Sequence, residues 1–328
     1  MLAAGAATGA GAAGADTTDA DNARVETPPL DELLVTGERP GPGMWRIRRG
    51  DHDLWILGSF EPLPKAMRWH SEQADARIAA SQEVIAPPVV DTDIGFFRGL
   101  TLLPALLRAR HSPDGERLEQ ALPHELYMRW LALRVKYLGG SDDEHLRPML
   151  AALDLYRHAL DAAGLRSDEE VWNSVKQTAE HGRIPIQAVT VTLHIADPKS
   201  EIRDLDEVSR DAEIACLETT IDRLETDLGA MRERANLWSL GDVAALRARV
   251  HPDQHIACLN AVFTVPALRA QFEVAKRQVD EAWLAAADAA LQRHASSFAV
   301  LPLREMLQPG GWLEQLAARG YEIEDPDR

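Results

Sequence analysis

The sequence predicts an α+β fold: a small mixed sheet built from strands near both ends of the chain, carrying a large helical insertion. Three observations predict it. Short apolar or alternating runs suited to strands fall at 44–57, 83–86, 184–191, 298–301 and 320–323. The stretches between them carry helical periodicity, with proline at starts and glycine at ends. At 328 residues and 45% hydrophobic, the chain can bury a sizeable core, as one large domain or two coupled lobes.

The first strands lie in the stretch MWRIRRGDHDLWILGSFEPLPKAMRW, residues 44–69. Met44 to Arg48 alternates apolar and basic residues, as a half-buried strand does. Gly50-Asp51 supplies a turn, and Leu54-Trp55-Ile56-Leu57 reads as a strand buried on both faces. Gly58 ends that run and leaves Ser59, Phe60 and Glu61 at the strand's C-terminal edge, where open sheets place chemistry. A helix over Met67–Ala80 and a short strand at Glu83–Ala86 follow, the latter stopped by Pro87-Pro88.

The middle is helical. Gly99–Arg110 contains Pro104 and is expected to kink or split. Pro123–Leu138 begins with proline and ends at Gly139-Gly140. Ser141-Asp142-Asp143-Glu144 signals the start of a helix that runs to Ala163, interrupted near Pro148. Another helix opens at Ser167-Asp168-Glu169-Glu170 and stops at Gly182. The run IPIQAVTV over 184–191 is a single expected strand.

Glu201–Arg249 reads as almost wholly helical, broken near Gly229 and Gly241. Its charges, including Glu213, Glu218, Asp222 and Glu225, suit a solvated face, with a homodimer through the 201–250 helices as the other use. Pro266–His294 is a further helix, Phe298–Leu301 a final buried strand, Trp312–Ala318 the last helix and Gly320–Ile323 a closing strand. Residues 1–42 divide from 43–328 as an Ala/Gly-rich tail and linker, and the helical insertion covers about 97–182. The tail is a flexible segment or the remnant of a secretory signal, with Ala13-Gly14-Ala15 as cleavage site.

Composition excludes some functions. A formal charge of −17 argues against a nucleic-acid or anionic-membrane partner. No apolar run reaches the roughly 18–20 residues of a membrane span. Cys216 and Cys258 form a disulfide if the chain is exported, or are two small buried apolar residues. Nucleophile-elbow, phosphate-loop and dinucleotide motifs are missing. His251 and His255 have metal-capable i,i+4 spacing, but Pro252 breaks the zinc-protease pattern, and a helix start suits them better. Asp51-His52-Asp53 suits a solvated turn, and the eight tryptophans suit core packing.

Several pieces, in order, resemble the TraB/GumN family, which includes the Tiki proteases. Leu54 through Pro64 fits the family's opening strand and its GxxH motif, with Glu61 at the histidine position. Gly182–Ile186 fits its helix-to-strand turn and Leu237–Asp242 its W..GD signature. Ser297–Leu301 fits its last strand, and Gly310–Tyr321 its ending. The resemblance covers about 43–324 and implies a divalent-metal hydrolytic site built from two GxxH histidines, an acid after the third strand and an Arg-Asn pair. Those positions hold Glu61, Arg304, Ala86 and Val279-Asp280, and the Glu of a further family strand falls near Thr190.

An arginine is always protonated and offers no lone pair to a metal. The expectation is therefore a degenerate metal site, no cofactor, and a binding role toward a protein or small-molecule partner in the old cleft. Gly58, Ser59, Phe60, Glu61, Pro62, Thr190, His194 and Arg304 are the candidate pocket, and Glu61 with Arg304 a candidate ion pair replacing the metal. The alternative is a divergent hydrolase, peptidase-like, holding a divalent metal such as Mn or Co through Glu61 and His52, His70 or His194. The family implies a periplasmic or secreted protein, with a cytoplasmic one as the alternative.

Overall fold

The computed structural model describes residues 41–326, apart from 68, 70, 71, 95, 114, 141–143, 168 and 250–253, and gives the backbone alone at 96–98 and 254–257. Strands β1 (Met44–Arg49) and β2 (His52–Ser59) form the expected hairpin around Gly50, whose φ of 62° favours glycine. The basic residues of β1 have cross-strand partners. Arg46 meets Asp53 at 2.7 Å, and Arg48 meets Glu324 at 3.1 Å.

In chain order there follow β3 (Leu63–Pro64), α1 (Glu72–Ala79), β4 (Val84–Ile85), β5 (Val89–Thr92) and α2 (Phe96–Ala109). Next come α3 (Leu118–Ala121), α4 (His124–Tyr137), α5 (Pro148–Ala162), β6 (Leu165–Arg166), α6 (Glu170–Gly182), β7 (Ile186–Gln187) and β8 (Thr190–Leu193). Helices α7 (Pro198–Asp204), α8 (Arg210–Thr226), α9 (Leu228–Ser239), α10 (Val243–Ala248), α11 (Gln254–Val262) and α12 (Pro266–Arg293) lead to β9 (Ser296–Pro302). Helices α13 (Leu303–Leu307) and α14 (Trp312–Ala318) and strand β10 (Glu322–Glu324) close the chain.

The main sheet is mixed, in the order β10-β1-β2-β9-β4-β7. Five of its six strands lie near the two ends of the chain, as the sequence predicts, and β7 comes from the middle. β1 runs antiparallel to β10 and β2, whereas β2, β9, β4 and β7 are mutually parallel. α1 packs with α6, while α12 lies along β1, β2 and β9 and meets α14. The central strands are covered accordingly, with Leu54, Ile56, Leu57 and Phe298 through Leu301 all buried. Trp45, Trp238, Trp283 and Trp312 join this core, so packing accounts for them.

A second core is helical. Leu118, Trp130 and Leu155 from α3, α4 and α5 pack with Leu217, Ile221 and Cys258 from α8 and α11. The segment 97–182 thus shares its interior with helices beyond it, and α8 spends its apolar face inside the chain. Cys216 and Cys258 are joined by a disulfide with their Cα atoms 4.7 Å apart.

Several elements differ from expectation. The run 184–191 is not one strand: β7 pairs with β4 and β8 with β5, with two residues between. α2 is one helix with Pro104 inside it. α5 starts at Pro148, where proline's missing N–H costs nothing in the first turn. The break expected at Gly229 falls at Asp227, whose carboxylate takes two bonds from Arg234, at 2.9 and 2.6 Å. Glu213 is not solvated but buried against Arg147, whose Nε donates to it at 2.7 Å. β5, a four-residue exposed strand beyond two prolines, carries no periodic signal in the sequence.

Candidate functional site

Two parallel strands end side by side. In the β2–β9 register Gly58 faces Leu301 and Ser59 faces Pro302. Glu61 and Arg304 each lie three residues past the Gly58–Leu301 pair, so the parallel register carries both to the same rim of the sheet. Glu61 and Arg304 are exposed, and Pro62 is buried after a cis peptide bond. Arg304 meets the adjacent Glu305 at 3.1 Å.

Any larger residue at Gly58 would crowd its neighbours. A Cβ there would sit 2.7 Å from Leu303 Cδ1 and 3.2 Å from Trp45 Cζ3. Its carbonyl accepts a 2.7 Å hydrogen bond from Trp238 Nε1. Phe60 turns back to pack on the main core, and Ser59 is half-buried. Residues 237–242 thus explain their own pattern. Trp238 pins the end of β2, Gly241 turns at φ 74°, and Asp242 caps α10 through Ala245 N at 2.9 Å.

The next parallel strand offers no carboxylate at this rim. Ala86 follows β4, is buried, and donates its backbone N–H to the Gln187 carbonyl at 2.9 Å. The buried acid beside β4 is Glu83, at the strand's other end. It is held there by His294 at 3.2 Å and Arg293 at 3.4 Å.

Thr190 belongs to a separate two-stranded sheet, where it faces Val89, and His194 directly follows that sheet's strand β8. His194 Nδ1 contacts the carboxylate of Asp93, a residue that sequence reasoning missed. Asp93 also accepts from Ile195 N at 3.0 Å and donates its backbone N–H to the Leu193 carbonyl at 3.2 Å. The imidazole remains largely exposed, with the side chain 81% accessible. The structure therefore places Gly58, Ser59, Phe60, Glu61, Pro62 and Arg304 at paired strand ends, and Thr190 on a separate ribbon with His194 directly after it.

The other histidines weighed as ligands divide. His52 Nδ1 lies 2.8 Å from the Leu291 carbonyl, which ties the ring to α12. His70 and His251 lie outside the described residues, as does the side chain of His255. Asp280 is bonded by Lys276 at 2.6 Å. Among the described residues no group of three or more His, Cys, Asp and Glu side chains converges as a metal site would need.

A cavity of about 680 Å³ lies elsewhere, between the entry segment at 41–44, α1 and Gly241. Trp55 lines it with Arg77, whose guanidinium carbon is 3.9 Å from the indole centroid. No residue of the sequence-derived pocket lines it.

Fold and rim together define a class: a mixed α/β protein with a six-stranded mixed sheet in which the parallel strands β2 and β9 end side by side. More specifically, the chain matches the model of the TraB/PrgY/gumN family over residues 43–325, and it belongs to that family. No curated protein and no solved structure matches it. No helix among the described residues is long and apolar enough to cross a membrane.

Proposed function

We propose that this is an exported family member whose sheet rim binds a partner protein or small ligand and carries out no metal-dependent hydrolysis. The observation that carries this reading is the β2–β9 register, which brings Glu61 and Arg304 to one rim at the positions of the two family histidines. One imidazole position has become a carboxylate. The other has become a permanent cation, which repels a metal ion and cannot ligate it. Ala86 leaves the third position without a donor.

Metal analysis of the purified chain, with thermal unfolding in manganese, cobalt and EDTA, tests the reading. The midpoint should not move. A site filled at a hundredfold excess over its dissociation constant would add about 2.7 kcal/mol of stability, so a rise reversed by EDTA overturns the proposal.

Export is supported by the disulfide between Cys216 and Cys258, since such bonds persist in oxidising compartments. Cell fractionation checks it, and recovery with the cytoplasmic fraction would refute it. The alternative, a divergent manganese or cobalt hydrolase of peptidase type, has one observation in its favour, the contact between Asp93 and His194. It requires metal-dependent peptide hydrolysis that Asp93→Asn abolishes.

A further inference from the structure

We infer that α2 docks this protein on an anionic lipid surface. The helix shows solvent four large leucines: Leu100 is 59% exposed, Leu103 47%, Leu106 43% and Leu107 49%. Leu100, Leu103 and Leu107 fall at i, i+3 and i+7, so they form one outward stripe. The opposite face is already used. Leu102 and Ala109 are buried against Ile202 of α7, with Ala105 and Ile94 beside them. An apolar helix face of this size turned to water is not ordinary surface composition.

The charge around the stripe says what covers it. The chain as a whole has a formal charge of −17, yet residues 94–113 contain three arginines and no acid. Arg108 and Arg110 are exposed at the C-terminal end of the helix. Lys199 and Arg203 of α7 share a cleft of about 290 Å³ with Arg108. Asp197 lines the same cleft, and Asp93 and Glu116 bracket residues 94–113, but these acids are engaged: Asp93 by His194 and Glu116 by Arg210. Asp197 caps α7 through Lys199 N at 3.1 Å and Ser200 N at 3.2 Å, and Glu201 accepts from Gln271 at 3.1 Å.

Leucines flanked by arginine and lysine, on a helix lying along the protein surface, have the composition of an interfacial helix. Such a helix sinks its apolar face to the acyl boundary and holds anionic headgroups with its basic flank. The formal charge of −17 opposes an anionic surface for the chain as a whole, but the opposition weakens with distance from the helix. At physiological ionic strength, charges more than about 8 Å apart are largely screened. A second copy of the chain is the poorer occupant, because residues 94–113 of that copy bring the same basic residues and no acid to answer them.

The test is co-sedimentation of the full chain with vesicles of phosphatidylcholine alone, and of phosphatidylcholine with phosphatidylglycerol. Binding to the anionic vesicles is expected, with little to the neutral ones. Leu100→Ser, Leu103→Ser and Leu107→Ser combined should weaken it at least tenfold. These side chains are exposed, and unchanged circular dichroism checks that the variant still folds. Arg108→Glu with Lys199→Glu should weaken binding separately, and raised salt should weaken it in the parent. No sedimentation with anionic vesicles, or equal sedimentation of the triple-serine variant, overturns the inference. So does a dimer in light scattering that the triple-serine variant converts to monomer, since a second copy would then be the occupant.

Discussion

The indole N–H of Trp238 donates to the carbonyl oxygen of Gly58 at 2.7 Å, joining α9 to the end of β2 across 180 residues of chain. The bond is buried, so removing the donor takes a hydrogen bond from a carbonyl in the interior. Trp238→Phe is expected to destabilise the fold by roughly 1–3 kcal/mol in urea unfolding. Trp238→Ala adds a cavity beneath Trp69, its edge-on neighbour at 5.6 Å, and should cost about 3–5 kcal/mol. If the phenylalanine variant unfolds at the parent midpoint, the bond contributes nothing.

Gly241 fails as alanine for two reasons. Its φ is 74°, and a Cβ would lie 2.8 Å from the backbone oxygen of Gly41. The neighbouring atom is main chain, so the entry segment must shift. Gly241→Ala should lose at least about 1 kcal/mol and make the chain more sensitive to limited proteolysis near residue 41. Gly229, with nothing within 4 Å of its added Cβ and no positive φ, is the control. Gly229→Ala should be neutral or stabilising by up to about 1 kcal/mol.

The disulfide closes a sequence separation of 42 residues, so its loss should cost about 2–4 kcal/mol. Cys216→Ser with Cys258→Ser tests this. The parent and the double variant should differ in urea midpoint under oxidising conditions and converge in dithiothreitol. A difference that survives the reductant would assign the effect to packing.

Glu144 predicts a pH dependence. Hydrogen bonding from Arg117, opposed by burial and then aided by Arg134, holds its carboxyl below the usual glutamate range. A depressed folded value means the unfolded chain binds more protons. This stabilisation is present above the ordinary glutamate value, about 4.3, and is lost as pH falls through the lower folded value. Glu144→Gln should flatten that part of the acid limb of a stability–pH curve. Glu213 acts with the opposite sign, because burial raises its carboxyl despite Arg147. Its contribution is greatest below the ordinary glutamate value and falls as pH rises through the raised one. Glu213→Ala takes the nearer carboxylate from the buried Arg147 and leaves it to Asp206, 3.6 Å away, so the loss should be at most about 3–5 kcal/mol.

Much of the scaffold was readable from residue order. The hairpin around Gly50, the run Phe298–Leu301 and the last helix at Trp312 all carry strong local periodicity or punctuation. The 184–191 run misled because alternation reports a strand but not a change of partner within it. Asp93 was invisible because its role comes from the pairing of β5 with β8, which no local pattern encodes. Glu213 looked solvated because charge alone was counted, whereas Arg147, 66 residues earlier, makes its burial tolerable. At the rim, the motif spacing pointed to Glu61 and Arg304, but only the parallel register shows that they share one edge.

That register has a consequence for synthesis. Leu57 of β2 lies beside Val300 of β9, so the sheet's central seam cannot close until nearly the whole polypeptide exists. At about 5–20 residues per second, the Leu54–Leu57 run waits roughly 12–49 seconds for its neighbour. Throughout that interval a sticky, unpaired edge needs shelter from a chaperone.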